Sequence, residues 1–211
     1  AFSSMFVHAN LMHLAGNLWF LWVFGDNVEL RLGRLKYLCC YLLCGLGGTA
    51  CHYYFFMHSP IPTVGASGAI FGVLGLYLFL FPHNRVRCFY FLFLFVGSME
   101  IRAVWVIGLW FAKEAFFSYL AAQGAMETSV GHLAHSGGFA VGVAASWLLV
   151  VSGVVPSYGD SLLDWLLGRE PGPGSRSELQ AGPQGREGWF KAGAGPGAGA
   201  EMEAAPSSKI A

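Results

Sequence analysis

Five apolar runs, separated by short polar breaks, decide what this chain can fold into: residues 11–25, 37–56, 67–82, 103–121 and 131–152. About 20 mainly apolar residues cross the hydrocarbon of a bilayer. With no water there to satisfy the backbone, such runs must be helical. The charge pattern agrees. Residues 1–168 carry only seven basic and seven acidic side chains, whereas the last 43 residues carry five of each. Charged residues make up 11% of the chain, against about 25% in soluble domains. The 12 basic and 12 acidic groups cancel, leaving no basic stripe for a nucleic acid. The expected fold class is all-α: a polytopic membrane helix bundle with about five spans in one domain over 1–168. Gly, Pro and Ala form 22 of the residues in 169–211, which are expected to be a disordered tail that cannot bury enough surface to offset its ordering entropy. Trp189 and Phe190 are an isolated aromatic pair there, open to a role as a short interaction motif but without a second feature to support one.

Two further stretches fall outside the simple scheme. Cys88–Val96 is very apolar yet too short to span, and reads as a re-entrant or interfacial piece ending in the polar break Ser98–Arg102. Lys113 and Glu114 sit in the middle of the 103–121 run. Charges at that depth are costly, so they are expected either to face a gap in the bundle or to mark the span boundary as misplaced. Cys39, Cys40, Cys44, Cys51 and Cys88 form no CxxC pair and are expected to be small buried hydrophobes.

The placement of Lys and Arg sets the expected orientation. Arg31, Arg34 and Lys36 lie in one break, Arg85, Arg87 and Arg102 in another, and Arg169 follows the last run, while 57–66 and 122–130 contain neither residue type. The runs beginning at 11, 67 and 131 therefore start on the same, non-cytoplasmic side, and the tail is cytoplasmic. On that side lie His8, His13 and Asn17, then Gly65-Ala66-Ser67-Gly68, then His132 and His135.

Ser67 stands between small residues at the expected amino end of a helix, where free N–H groups favour developing negative charge. The same GASGAIFG stretch also suits helix packing, since Gly68 and Gly72 have GxxxG spacing. Gly138 and Gly142 repeat that spacing after His135. If the two small-residue faces meet, the imidazole comes within reach of the hydroxyl; alone, either residue reads as structural. His13 and Asn17, four apart, share one helical face and could donate to an oxyanion. A zinc site is the rival reading, but His8 and His13 lie about 140° apart around a helix and no acidic residue completes a metal motif. No metal and no cofactor are expected.

The set HxxxxHxxxN (His8, His13, Asn17), GASG (65–68) and AHxGG (134–138), in this order, resembles the rhomboid intramembrane serine proteases, bacterial type. LGNLWFLWVFGDNVELRLG (14–33), IPTVGASGAIFGVLG (61–75) and GLWF (108–111) extend the resemblance over roughly residues 2–152. It implies a Ser67–His135 dyad without a third acidic member, Ser67 as nucleophile and His135 as base. The oxyanion would be held by the Ser67 N–H with His13 and Asn17. Gly65 would let the loop approach, Phe71 would pack on the histidine, His8 and His132 would line the cavity, and Glu29 would be structural. The partners implied are transmembrane protein substrates in the lipid bilayer of a bacterial inner membrane. A short third span, about 22 Å, would open a recessed, wet site. Rhomboids generally have a further span and a long outer loop before the first run seen here, so a fragment is expected. The alternative function is a non-catalytic rhomboid-like protein that binds transmembrane clients. A transporter would predict repeated halves, and none is visible.

Overall fold

The computed structural model describes residues 2–57, 65–92, 95–126, 131–170 and 172. The expected tail, including Trp189 and Phe190, lies outside the described residues apart from its first positions. After a single 3₁₀ turn (Ser3–Phe6), helix α1 (Leu11–Phe20) starts at Asn10, whose Oδ1 accepts the His13 backbone N–H at 2.8 Å. An Asn in extended conformation is a strong N-cap because it satisfies one of the orphan donors of the first turn. A π-helical turn (Leu21–Gly25) joins α1 to α2 (Asp26–Leu32). Gly33, at φ 79°, breaks the chain there, and α3 (Arg34–Phe55) follows. Then come α4 (Ser67–Leu80), the antiparallel strands β1 (Arg85–Leu92) and β2 (Phe95–Arg102), α5 (Ala103–Ala122), α6 (His132–Val151) and the short α7 (Leu162–Leu166).

All five apolar runs thus become helix, and α4 is the central one. Twelve of its 14 residues are buried. Its neighbours α3 and α6 come close because glycine faces glycine or cysteine. A Cβ on Gly142 would strike the Gly72 carbonyl oxygen, one on Gly138 the Gly68 carbonyl oxygen, and one on Gly72 would strike Cys44. Both GxxxG pairs therefore serve one contact, as their spacing predicts. Many large apolar side chains also point outward: Trp19, Trp22, Leu43, Tyr54, Trp105, Leu109, Phe116 and Leu148 are exposed. A helix bundle whose closest helix contacts are made by small residues and whose outer surface carries Leu, Trp and Phe is built for a lipid solvent. Among the described residues, α5 and α6 are each long and apolar enough to cross a membrane, and α4 is shorter. Cys40 and Cys44 are buried as expected of small hydrophobes, whereas Cys39 turns outward.

The segment read as a re-entrant or interfacial piece falls on two antiparallel strands, 85–92 and 95–102, an addition to the helical plan. Its register pairs Arg87 with Glu100, and the side chains meet at 3.0 Å. The polar stretch Ser98–Arg102 is the second strand rather than a loose break. Phe89, Phe91 and Phe95 remain exposed on it.

Among the described residues, the basic side chains other than Lys113 of α5 gather at one end. Arg31 binds Asp160 at 3.2 Å with both side chains buried and lies 4.4 Å from the Tyr158 ring centroid. Lys36 Nζ donates to the Val154 carbonyl. His83, just before β1, meets Trp165 of α7 edge-on. The α2–α3 junction, the two strands and α7 therefore share the end opposite to Ser67.

Candidate functional site

Ser67 is the first residue of α4, so its N–H has no carbonyl one turn back to bind. Two residues earlier Gly65 adopts φ +114°, and a Cβ there would lie 2.7 Å from His13 Cε1. Only glycine suits the position, on both backbone and spatial grounds. The close glycine contacts of α4 with α6 then bring His135, one turn into α6, over the start of α4. Its Nε2 lies 2.9 Å from Ser67 Oγ, a hydrogen-bond distance across which a proton can pass.

Phe71, one turn after Ser67, stacks on the His135 ring with centroids 4.3 Å apart and planes 11° from parallel. Trp110 of α5 backs Phe71 edge-on. The imidazole is thereby held flat against a wall of rings. From α1, His13 and Asn17 approach Gly65: its virtual Cβ lies 3.1 Å from His13 Nε2 and 3.8 Å from Asn17 Nδ2. Asn17 Nδ2 is buried without a hydrogen-bond partner among the described residues. A buried donor left unused costs roughly 1–3 kcal/mol, so the fold holds beside Gly65, two residues before Ser67, an N–H with no acceptor among the described residues. His8, edge-on to His13 at 5.4 Å, likewise has a buried, unpartnered Nε2.

The family model for the rhomboid domain matches residues 1–152. The chain belongs to the rhomboid family. It is 31% identical over 151 residues to rhomboid protein 1, mitochondrial, of Saccharomyces cerevisiae, covering 69% of this chain and 40% of that protein. It is 42% identical over 79 residues to the rhomboid protease GluP of Bacillus subtilis, covering 37% and 15% respectively. It is 29% identical over 155 residues to rhomboid-like protein 11, chloroplastic, of Arabidopsis thaliana, covering 70% and 51%. The chain therefore spans at most about half the length of these relatives. As a rhomboid domain, it is an integral membrane protein.

The expectation for Glu114 needs correction in this rhomboid, whereas the Lys113 side chain is half exposed. The span boundary stands, since α5 runs unbroken over Ala103–Ala122, and Glu114 faces inward. It shares the buried stripe of α5 with Ile107, Ser118 and Ala121, positions set by helical spacing rather than by a gap. Ser118 Oγ in that stripe reaches Ser136 Oγ of α6 at 2.8 Å. Glu114 is 3% exposed. Its Oε2 lies 2.6 Å from His132 Nδ1 and 3.1 Å from His135 Nδ1, and its Oε1 lies 2.7 Å from Lys113 Nζ. The pair implied without a third acidic member thus has a carboxylate behind its imidazole. His132, read as lining the cavity, is engaged by Glu114 and stacks on Phe117. Glu29 lies at the other end, 3.7 Å from Arg34 Nε. A charge at mid-span was the sequence signal for Glu114; its partner was hidden because α5 and α6 meet only in three dimensions.

Proposed function

We propose that this rhomboid domain is a serine endopeptidase that cuts transmembrane segments of other membrane proteins. The 2.9 Å approach of His135 Nε2 to Ser67 Oγ carries the reading. Ser67 Oγ attacks the scissile carbonyl while its proton passes to His135 Nε2. The carbonyl oxygen, now an anion, is held by the Ser67 N–H, the Asn17 amide and His13. Collapse of this tetrahedral adduct breaks the C–N bond, and His135 returns the proton to the leaving amine. Water, activated by the same imidazole, then hydrolyses the acyl-serine. The chemistry needs no cofactor.

The substrate is a membrane segment with helix-destabilising residues, because a carbonyl locked in an intact helix is not free to reach Ser67. The concentration of Arg and Lys at the end away from Ser67 supports a site on the non-cytoplasmic side, with the tail in the cytoplasm. A bacterial inner membrane is the proposed setting, with a bacterial protein among the relatives beside mitochondrial and chloroplast ones. Purified protein in liposomes with a transmembrane reporter tests the reading. The parent should cleave the reporter and Ser67→Ala should not. Binding without cleavage by the parent would instead fit a non-catalytic client binder, and equal cleavage by both would remove Ser67 from the chemistry.

A further inference from the structure

Glu114 is a costly side chain to bury in the bundle. An ionised carboxylate in the middle of an apolar span is retained only where partners offset its desolvation, and here the partners are the two histidines of α6 and the neighbouring ammonium of Lys113. A carboxylate can only accept hydrogen bonds. Each Nδ1 resting on Oε2 must therefore carry its hydrogen. For neutral His135 this leaves the lone pair on Nε2, the nitrogen 2.9 Å from Ser67 Oγ. The opposite tautomer would turn an Nε2–H toward the hydroxyl and a lone pair toward the carboxylate, losing the proton acceptor and setting two acceptors 3.1 Å apart.

We infer that Glu114 is a positioning residue for His135: its carboxylate fixes the imidazole in the Nδ1–H tautomer and steadies the imidazolium formed when Ser67 gives up its proton. This deepens, and rests on, the proposed serine-protease reading. The result is a Ser–His–Glu relay whose third member comes from α5. His132 and Lys113 have supporting parts. His132 Nδ1, at 2.6 Å, is the shorter of the two imidazole contacts and pins Oε2. Lys113, on Oε1, balances the charge. The same Glu and His groups could supply ligands to a metal ion. The ammonium 2.7 Å from Oε1 already gives this carboxylate its cation, and both ring hydrogens point at Oε2, so the arrangement is read as hydrogen-bonded. Phe71 fixes the plane of the ring, and Glu114 fixes which of its nitrogens faces the serine.

The test uses the full chain in liposomes, with Glu114→Gln, Glu114→Asp and Ser67→Ala. The amide of Gln keeps the size of the side chain but can donate to Nδ1 and so favour the wrong tautomer. Glu114→Gln should lower kcat by about 10²- to 10⁴-fold at unchanged KM, because Glu114 lies on the side of the ring away from Ser67. Glu114→Asp should recover kcat to within about tenfold of the parent. A kcat for Glu114→Gln within twofold of the parent would overturn the inference, as would Glu114→Asp being no more active than Glu114→Gln. A second readout does not depend on turnover. In ¹⁵N-histidine spectra, with His135 assigned by its loss in His135→Asn, the parent should show Nδ1–H and Glu114→Gln should show Nε2–H. An Nε2–H tautomer in the parent refutes the inference even if the protease reading holds. An inactive parent with the Nδ1–H tautomer refutes the protease reading alone.

Discussion

Asn17 spends stability to keep one amide ready. Its Nδ2 is buried beside Gly65 with no acceptor among the described residues, and such a group costs free energy until something charged or carbonyl-like arrives. Exchange for Leu, which has the same branching and number of side-chain heavy atoms but no polarity, removes the unused donor. Asn17→Leu should therefore raise the thermal unfolding midpoint in detergent, or leave it unchanged, while lowering kcat on the reporter by roughly 10²- to 10³-fold, the usual worth of one oxyanion donor. Loss of stability with full activity would show that the amide is structural. This residue was legible in the sequence, because four-residue spacing puts it on the face of His13. Glu114 was visible only as an anomaly. A carboxylate in an apolar run announces that it needs partners, but which ones depends on how α5 rotates against α6.

At the scale of elements, the α4–α6 contact sets the distance between serine and imidazole. Gly142 would place a Cβ on the Gly72 carbonyl oxygen, and rigid backbone on both sides leaves no room to relax. Overpacking at such a point typically costs about 1–3 kcal/mol and shifts the backbone. Gly142→Leu should lower the unfolding midpoint and also reduce kcat, since the same shift moves His135. Gly16→Ala is the matched control: a Cβ at Gly16 meets nothing within 4 Å, and Ala is the better helix former by about 1 kcal/mol, so midpoint and activity should hold or rise slightly. Both helices were legible from their small-residue spacing. The strand pair 85–92 and 95–102 was not, because aromatic residues populate both faces of β1 and erase the alternation that marks a strand. The π-helical turn at 21–25 was equally hidden, since neither its ends nor its extra residue leaves a compositional trace.

Over the whole molecule, the two ends of the bundle have different chemistry. The end away from Ser67 is tied by charged groups: Arg31 with Asp160 joins distant parts of the chain, and Arg169 with Asp164 closes the last short helix on itself. Burial pushes the Asp164 carboxyl up, but hydrogen bonds from the Ser157 and Ser161 hydroxyls, the Ser161 N–H and Arg169 outweigh it and hold the group below its ordinary value. A carboxylate with a depressed pKa in the fold contributes stability above its unfolded value, about 3.9, and loses it as pH falls through the folded value. Asp164→Asn should therefore lower the unfolding midpoint at pH 7, and the gap from the parent should close only below about pH 4. A gap that stays constant down to low pH would exclude the linkage. The gathering of these charges at one end was foreshadowed by the placement of Arg and Lys, although their partners near the carboxyl end of the domain were not. The length of α4 carries a last consequence. Its 14 residues rise about 21 Å in a hydrocarbon layer of about 30 Å. With its inner end level with the inner boundary, Ser67 lies about 9 Å below the outer one, a depth an extended strand covers in about three residues. Under the proposed function, the bundle then acts as a ruler that chooses the bond to cut by distance from the membrane surface, so lipid thickness itself becomes part of substrate selection.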